Sequence, residues 1–177
     1  MTLEIRPAGP DDADAVAELH AASWRSAYRG LFSDAYLDGD VVEERRRQWT
    51  KRLVTEPRPD QGVFVAMEGG ACVGFLCIFL EAEPEWGPLL DNLHVRPDLK
   101  SRGIGQRLIQ AGLAWMKTRG PFRNWHLWVL EGNAPTRRVY EHLGWQPQAR
   151  AIHHAPDGTA YWSWRYVQTL ANEPNKP

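Results

Sequence analysis

The chain has few cysteines, no long apolar stretch and no excess of charge of either sign. Its 177 residues include 2 cysteines, and 21 basic side chains almost balance 22 acidic ones, for a formal net charge of −1. Proteins that bind nucleic acid present a basic surface, so we expect no nucleic-acid partner. The longest mainly apolar run, residues 72–80, is far shorter than the roughly 20 residues of a membrane-spanning helix. Residues 1–6 also lack the apolar stretch of a signal peptide, so we expect a cytoplasmic protein without a membrane contact.

The two cysteines, Cys72 and Cys77, lie an odd number of positions apart in the same apolar segment. If that segment is a strand, odd spacing places the two side chains on opposite faces, which disfavours a disulfide between them. Their spacing is not that of zinc ligands, and we expect no metal site. Two thiols in an apolar strand are most simply core residues of a protein in a reducing compartment.

Hydrophobic periodicity and the placement of glycine and proline predict alternating strands and helices. In chain order the predicted elements are strand 3–5, helices 11–28 and 41–53, strands 62–67, 71–80 and 89–95, helix 103–119, strand 125–130, helix 134–143, and strands 145–153 and 160–167. This order predicts an α/β fold in which helices flank a mixed central sheet. We expect one domain over residues 1–170 and a flexible tail over residues 171–177.

The most informative segment, residues 93–108, is a predicted strand that runs through a short turn into a glycine-rich helix start. The first turn of a helix has N–H groups without helical partners, and with the helix dipole they form a site for phosphate or pyrophosphate. Gly103 and Gly105 allow a ligand to approach the backbone closely. Four basic residues outnumber the single acid of the segment, Asp98: Arg96, Lys100, Arg102 and Arg107. The segment predicts an anion site, and a solvated basic loop is the alternative.

Two common nucleotide-binding motifs do not fit this segment. No Gly-Lys-Ser/Thr ends the glycine run, which excludes a Walker loop. In a dinucleotide fingerprint a third glycine would stand where this chain has Leu108, and no acidic residue between positions 119 and 130 is available to hold a ribose. A dinucleotide-dependent oxidoreductase is therefore disfavoured.

A second motif follows the next predicted strand, where residues 133–145 read Asn-x6-Tyr-x3-Gly-Trp. Together the two segments resemble the GNAT superfamily of N-acetyltransferases. The first motif of that family, Val-x-Pro followed by Arg/Gln-x-x-Gly-x-Gly/Ala, is matched at residues 95–97 and 100–105, with Lys100 in place of Arg or Gln. The second is matched by Asn133, Tyr140, Glu141, Gly144 and Trp145. The order of predicted elements fits along nearly the whole chain, so the resemblance implies a GNAT-like fold.

The resemblance also implies that acetyl-CoA is the acyl donor. The backbone amides of the glycine-rich turn would hold its pyrophosphate, which assigns cofactor contacts to Lys100, Arg102, Gly103, Ile104, Gly105, Gln106 and Arg107. The backbone of Leu93, His94 and Val95 would pair with the pantetheine arm like an added strand. Asn133 would hydrogen-bond the same arm, and its alternative role is a helix N-cap.

Tyr140, which would also contact the cofactor, is the candidate general acid by the same resemblance. Acetyl transfer expels a thiolate, and a phenol with a pKa near ~10 is protonated at neutral pH and able to donate. The alternative is a packed aromatic residue. Some relatives carry a catalytic glutamate five residues before the asparagine, but Trp128 occupies that position here.

Asp91 is the candidate base or amine anchor. Alternation along the predicted strand 89–95 puts Asp91 on the face of Leu93 and Val95, opposite Asn92 and His94. A strand-end cap is an alternative role for Asp91, and a proton relayed by water with no dedicated base is the alternative mechanism.

The acceptor side, by resemblance, includes Trp24 and Tyr28. A set of acidic residues nearby in the chain would attract a cationic amine, or would form only a solvated surface: Asp34, Asp38, Asp40, Glu81, Glu83 and Glu85.

The expected reaction is acetyl transfer to a primary amine, either a small molecule or a peptide N-terminus or lysine. The amine would attack directly, since neither cysteine lies near the motifs. The alternative is a non-catalytic acyl-CoA-binding module, and a homodimer is common in the family.

Overall fold

The computed structural model describes residues 2–155 and 157–170, so the predicted tail at 171–177 lies outside the described residues. The strands are β1 (Leu3–Pro7), β2 (Gln61–Glu68), β3 (Ala71–Glu83), β4 (Gly87–Val95), β5 (Asn124–Leu130), β6 (Gln146–His154) and β7 (Ala160–Thr169). The α-helices are α1 (Ala13–Ala27), α2 (Asp34–Asp38), α3 (Val41–Thr50), α4 (Ile104–Lys117) and α5 (Ala134–His142). Among the described residues, no helix has both the length and the apolar character needed to cross a bilayer.

The seven strands form one sheet in the order β1-β2-β3-β4-β5-β7-β6. Neighbouring strands run antiparallel except β4 and β5, which run parallel. Helices α4 and α5 pack on one face of the sheet, and α1 and α3 pack on the other. The predicted α/β fold, with helices on both sides of a mixed sheet, is confirmed.

Helix α4 lies close to the sheet because of a glycine in its buried stripe. Ile104, Leu108 and Met116 face the core, and Gly112 lies between the last two. A Cβ added at Gly112 would lie 2.7 Å from Cδ1 of Ile78 on β3. The absence of a side chain there therefore allows the close packing that fixes α4, and its N-terminus, against the sheet.

The predicted element boundaries differ from the structure in two places that matter for the site. Helix α2 is not predicted by the sequence reading, and it starts where the Ser33 hydroxyl accepts a hydrogen bond from the Tyr36 N–H at 3.3 Å. The predicted helix 41–53 changes into a π-helix at Lys51–Thr55. Such π-segments are rare and often mark functional positions. Here the segment carries Arg52 toward β4.

A β-bulge interrupts the alternation of β4. Asn92 lies opposite Cys77 and Leu90 lies opposite Ile78, which leaves Asp91 as the extra residue. A bulge bends its strand and increases the local twist. Strand β4 pairs with β5 only at Leu89 and His126 in the described register, and beyond that pair the two strands separate. The parallel strands therefore form a wedge that opens toward the N-terminus of α4.

A second bulge overturns the expected placement of the cysteines. Ala66 lies opposite Gly74 and Met67 lies opposite Cys72, so Val73 is the extra residue on β3. The bulge reverses the alternation, and Cys72 packs with Cys77 against the core beneath α1 and α3. The prediction of opposite faces is therefore wrong. Both thiols are free, and burial raises the pKa of Cys72 to about 11.

Candidate active site

A cavity of about 490 Å³ lies in the wedge between β4 and β5. One wall is the end of β4, and the opposite wall is formed by residues 127–129 of β5 and by one side of α5. The turn before α4 and the start of α4 close one end. Ser23 and Ala27 of α1, with Tyr28 directly after the helix, line the cavity from the other face of the sheet. The cavity therefore connects the two faces of the sheet through the gap between the parallel strands.

The start of α4 presents free backbone donors to this cavity. Gly103 is the N-cap, in the left-handed conformation with φ 76°, and the first helical hydrogen bond runs from the Arg107 N–H to the Gly103 carbonyl at 3.1 Å. The amides of Ile104, Gly105 and Gln106 precede that bond and have no helical partner. All three residues line the cavity. A Cβ added at Gly105 would meet only Cγ2 of Val95, at 3.7 Å, so the backbone there is open to a ligand.

The basic side chains of this segment do not all face the cavity. Lys100 lines it. Arg102 lies 3.4 Å from the carboxylate of Glu68, and the Arg107 guanidinium donates to the Leu3 carbonyl at 3.1 Å, so both reach toward the edge of β1 and β2. The Arg107 amide is also used within the helix. At this end the cavity is therefore lined by Lys100 and by residues 104–106 with their free amides.

Asn133 and Tyr140 lie on opposite ends of α5 and both line the cavity. The Asn133 side chain caps the helix, since its Oδ1 accepts from the Thr136 N–H at 3.3 Å. The Tyr140 ring is 8% exposed and packs edge-on against Trp145 at 5.7 Å. Burial, with nearby Tyr28, raises the pKa of Tyr140 above its usual range. The phenol is therefore protonated at neutral pH and available as a donor.

Asp91 lines the cavity, but its carboxylate is already paired. Nη1 of Arg52 donates to Asp91 Oδ2 at 2.8 Å and to Asn92 Oδ1 at 2.9 Å. The expectation that Asp91 and Asn92 point to opposite faces is therefore wrong, because the bulge turns both toward the π-segment after α3. Leu93 and Val95 instead pack against the core beneath α4.

The structure brings Tyr28 to the cavity and leaves Trp24 behind it. Tyr28 is a lining residue, whereas Trp24 lies in an aromatic cluster with Tyr28 at 5.2 Å and Phe32 at 5.5 Å between ring centroids. The Arg45 guanidinium lies 4.4 Å over the Trp24 ring. Burial, with nearby Tyr161, raises the pKa of Tyr28 to about 12. Trp24 therefore packs behind Tyr28 and is not itself a lining residue.

Three of the six acidic residues expected near the acceptor side are paired with arginines: Asp34, Asp38 and Glu83. Arg29 binds Asp34 at 2.9 Å and Asp38 at 2.7 Å. Glu83 is paired with Arg165, and it also accepts from the Trp128 indole N–H at 3.3 Å. The charges of these three carboxylates are therefore balanced by arginines. Within residues 2–155 and 157–170, no cluster of histidine, cysteine and acidic side chains could hold a metal ion.

Three residues of the site escape the sequence reading. They are Arg52, which holds the bulge, and two polar residues of α1, His20 and Ser23, which lie beneath or beside the cavity. His20 and Ser23 are three positions apart and so share one face of the helix, which is the only sequence signal for them. Arg52 contacts Asp91 and Asn92 because of the bulge in β4, so the sequence around Arg52 does not predict these contacts.

Comparisons with known proteins agree with this geometry. Residues 12–145 match the acetyltransferase (GNAT) family. The chain is 29% identical over 135 residues to the uncharacterized N-acetyltransferase YuaI of Bacillus subtilis, covering 74% of this chain and 73% of that protein. It is 30% identical over 146 residues to an uncharacterized N-acetyltransferase of Archaeoglobus fulgidus, covering 78% and 89%.

A solved structure of PaiA N-acetyltransferase from Thermoplasma acidophilum, in complex with coenzyme A, has the same fold. It superposes with a TM-score of 0.76 at 19% identity, over 96% of this chain and 100% of that chain. The family match, which spans most of the chain, carries the assignment, and the superposition supports the fold. This chain belongs to the acetyltransferase (GNAT) family, as its two paired motifs predict.

Proposed function

We propose that this protein transfers an acetyl group from acetyl-CoA to a primary amine, by direct attack of the amine on the thioester. The observation that carries the proposal is the wedge between β4 and β5. It opens at one end on three free amides of α4 and contains the buried, protonated phenol of Tyr140 in its wall. The donor supplies an activated acyl group, and the residues of the chain bind and orient it.

The chain offers a complementary contact for each part of an acyl-CoA. The amides of Ile104, Gly105 and Gln106, with the Lys100 ammonium, suit a pyrophosphate. Along β4 the edge facing β5 is unpaired beyond Leu89, so its N–H and C=O groups are free to pair with the amides of a pantetheine arm. The residues therefore fit the acetyl-CoA that the family implies. The unpaired N–H groups of β4 also suit the negative charge that develops on the thioester oxygen during the attack.

Tyr140 would protonate the departing thiolate. Among the described residues no hydrogen bond occupies its hydroxyl, which faces the cavity, so the proton is free for transfer. Neither cysteine is among the residues that line the cavity, so neither thiol is placed to attack the thioester. The amine therefore attacks without a covalent intermediate on the protein.

The test combines binding with turnover. Calorimetric titration with acetyl-CoA should give saturable binding, whereas NAD and ATP should give none. Release of CoA should then be measured with spermidine, L-lysine, tryptamine and a short peptide with a free N-terminus. Binding without turnover of any amine would favour the non-catalytic acyl-CoA-binding module, and absence of binding would overturn both functions.

Replacement of the acid separates catalysis from binding. We expect Tyr140→Phe to lower turnover by at least about tenfold, or about 1.4 kcal/mol of barrier, because only the transition state needs the proton. The affinity for acetyl-CoA should stay within about threefold of wild type. The matched control is Tyr166→Phe, since Tyr166 is as buried but donates to Glu141 at 2.6 Å, away from the cavity. Equal turnover of Tyr140→Phe and wild type would remove Tyr140 from the mechanism.

A further inference from the structure

Two buried polar atoms beside the cavity lack partners. His20, on α1, is 0% exposed, and its Nε2 has no hydrogen-bond partner among the described residues. The hydroxyl of Ser23, one helical turn further along, is also buried without a partner and lines the cavity. A buried donor without a partner destabilises the folded state. Two such atoms on one helix face, next to a cavity, indicate that this region binds a ligand or takes part in proton transfer.

The tautomer of His20 follows from its one hydrogen bond. The Trp49 indole N–H donates to Nδ1 of His20 at 3.0 Å, and an indole N–H can only donate. Nδ1 is therefore unprotonated, and burial holds the pKa of His20 well below its usual range. The neutral ring thus carries its proton on Nε2, the atom that has no partner.

The neighbour of His20 at the cavity is His94 of β4. The two ring centroids are 4.6 Å apart, and Phe75 packs on the His94 ring at 5.2 Å. His94 lines the cavity, and no hydrogen bond from another described residue reaches its ring nitrogens. His20 and Phe75 hold the ring in place, while its nitrogens stay available to a molecule in the cavity.

We propose that His94 accepts the proton that the acceptor amine loses, and that His20 and Trp49 position its ring. This inference rests on the proposed function. The amine nitrogen bonds to the acetyl carbon, its N–H bond breaks, and the proton passes to His94. The C–S bond breaks with its electron pair on sulfur, and Tyr140 protonates that thiolate. Proton exchange with solvent then restores both side chains.

The charges around His94 favour its neutral form. The groups that face it are His20 of α1, Arg45 of α3 and Lys100 of the turn before α4. Burial, with Lys100 and Arg45, lowers the pKa of His94 to about 3 from the usual 6.5. The imidazole is therefore unprotonated over the whole physiological range. The neutral imidazole can accept the proton, because the nitrogen of the amine becomes much more acidic once it has bonded to the acetyl carbon.

The kinetic test uses the amine of the panel with the highest turnover. His94→Phe keeps a ring against Phe75 and removes the nitrogens, and we expect turnover to fall by about 10- to 100-fold with acetyl-CoA affinity within about threefold. His94→Ala should regain turnover with added imidazole but not with thiophene, a ring of similar size without a basic nitrogen. The control His126→Phe alters another fully buried histidine outside the cavity lining and should keep wild-type turnover.

A spectroscopic test is independent of the acceptor. Imidazole nitrogen NMR of the wild-type protein should show His20 with its proton on Nε2 and His94 neutral from about pH 5 to about pH 9. A His94 ring that is still protonated at about pH 8, or a proton on Nδ1 of His20, would overturn the inference. Wild-type turnover in His94→Phe would also overturn it and leave the acetyltransferase function intact. Failure of acetyl-CoA to bind the wild-type protein would instead reject the proposed function.

Discussion

The contact between Arg52 and the bulge of β4 gives a prediction whose size follows from the structure. Nη1 of Arg52 donates to both Asp91 and Asn92, and the side chains of Arg52 and Asp91 are only 18% and 28% exposed. Hydrogen bonds to charged groups contribute about 1.5–3 kcal/mol, with the full value only where water is excluded. We expect Arg52→Met to lower the free energy of unfolding by about 2 kcal/mol.

A double-mutant cycle isolates the pair from other effects of the substitution. Arg52→Met and Asp91→Asn, singly and together, should give a coupling free energy of about 1–2 kcal/mol in urea unfolding. The matched control is the pair Arg96–Asp98, which is as short, at 2.7 Å, but 42% and 64% exposed. Its coupling should not differ measurably from zero, because water screens an exposed ion pair.

The same variants test whether the bulge shapes the cavity. If Arg52 fixes the bend of β4, Arg52→Met should weaken acetyl-CoA binding by about tenfold, or about 1.4 kcal/mol. Substitutions at the exposed pair Arg96–Asp98, which lies outside the cavity lining, should leave it unchanged. A coupling as small as that of the exposed pair, with unchanged acetyl-CoA affinity, would refute the reasoning.

Two further predictions concern stability. Gly87 has φ 80°, and a Cβ there would lie 2.3 Å from the backbone oxygen of Asn124, so Gly87→Ala should cost at least about 3 kcal/mol. Gly158→Ala, with φ 84° and open space, should cost only about 1–2 kcal/mol in urea unfolding, and equal losses would contradict the steric argument. Arg6 binds Asp12 through two hydrogen bonds of 2.8 Å and lowers its pKa. That stabilisation is present above about pH 4 and is lost as the pH falls through the lowered pKa of Asp12. In Arg6→Gln, the free energy of unfolding should therefore decrease less between about pH 4 and about pH 2 than in the wild type. An equal decrease in both proteins would contradict this prediction.

Sequence reasoning located the parts of the site that local chemistry specifies. Gly103 marks the start of α4 because a left-handed N-cap favours glycine, and Asn133 marks the start of α5 because its side chain caps that helix. Tyr140 then follows at a fixed helical spacing and reaches the cavity. Each of these placements depends only on residues within a turn or two of the chain, so the pattern alone can predict it.

The misplaced residues share a different cause. Alternation along a strand predicts the face of every side chain only while the register is unbroken, and one bulge reverses all later assignments. Asp91 and Val73 are such extra residues, and nothing in their local sequence signals it. Arg52 was missed for a related reason, because its partners come from a distant strand that the bulge turns toward it.

The environments of Tyr140 and His94 give the cavity its chemical character. Burial raises the pKa of the phenol and lowers that of the imidazole, so at neutral pH one is an uncharged donor and the other an uncharged acceptor. Both residues line the wedge, but Tyr140 lies on α5, whereas the ring of His94 packs against His20 of α1. The amine can therefore lose a proton to His94 on one side of the cavity, and the thiolate can gain a proton from Tyr140 on the other side. Before the substrates bind, neither side chain carries a charge. Such a cavity binds an uncharged amine most readily, so the rate of transfer should rise with pH until the acceptor amine is fully deprotonated.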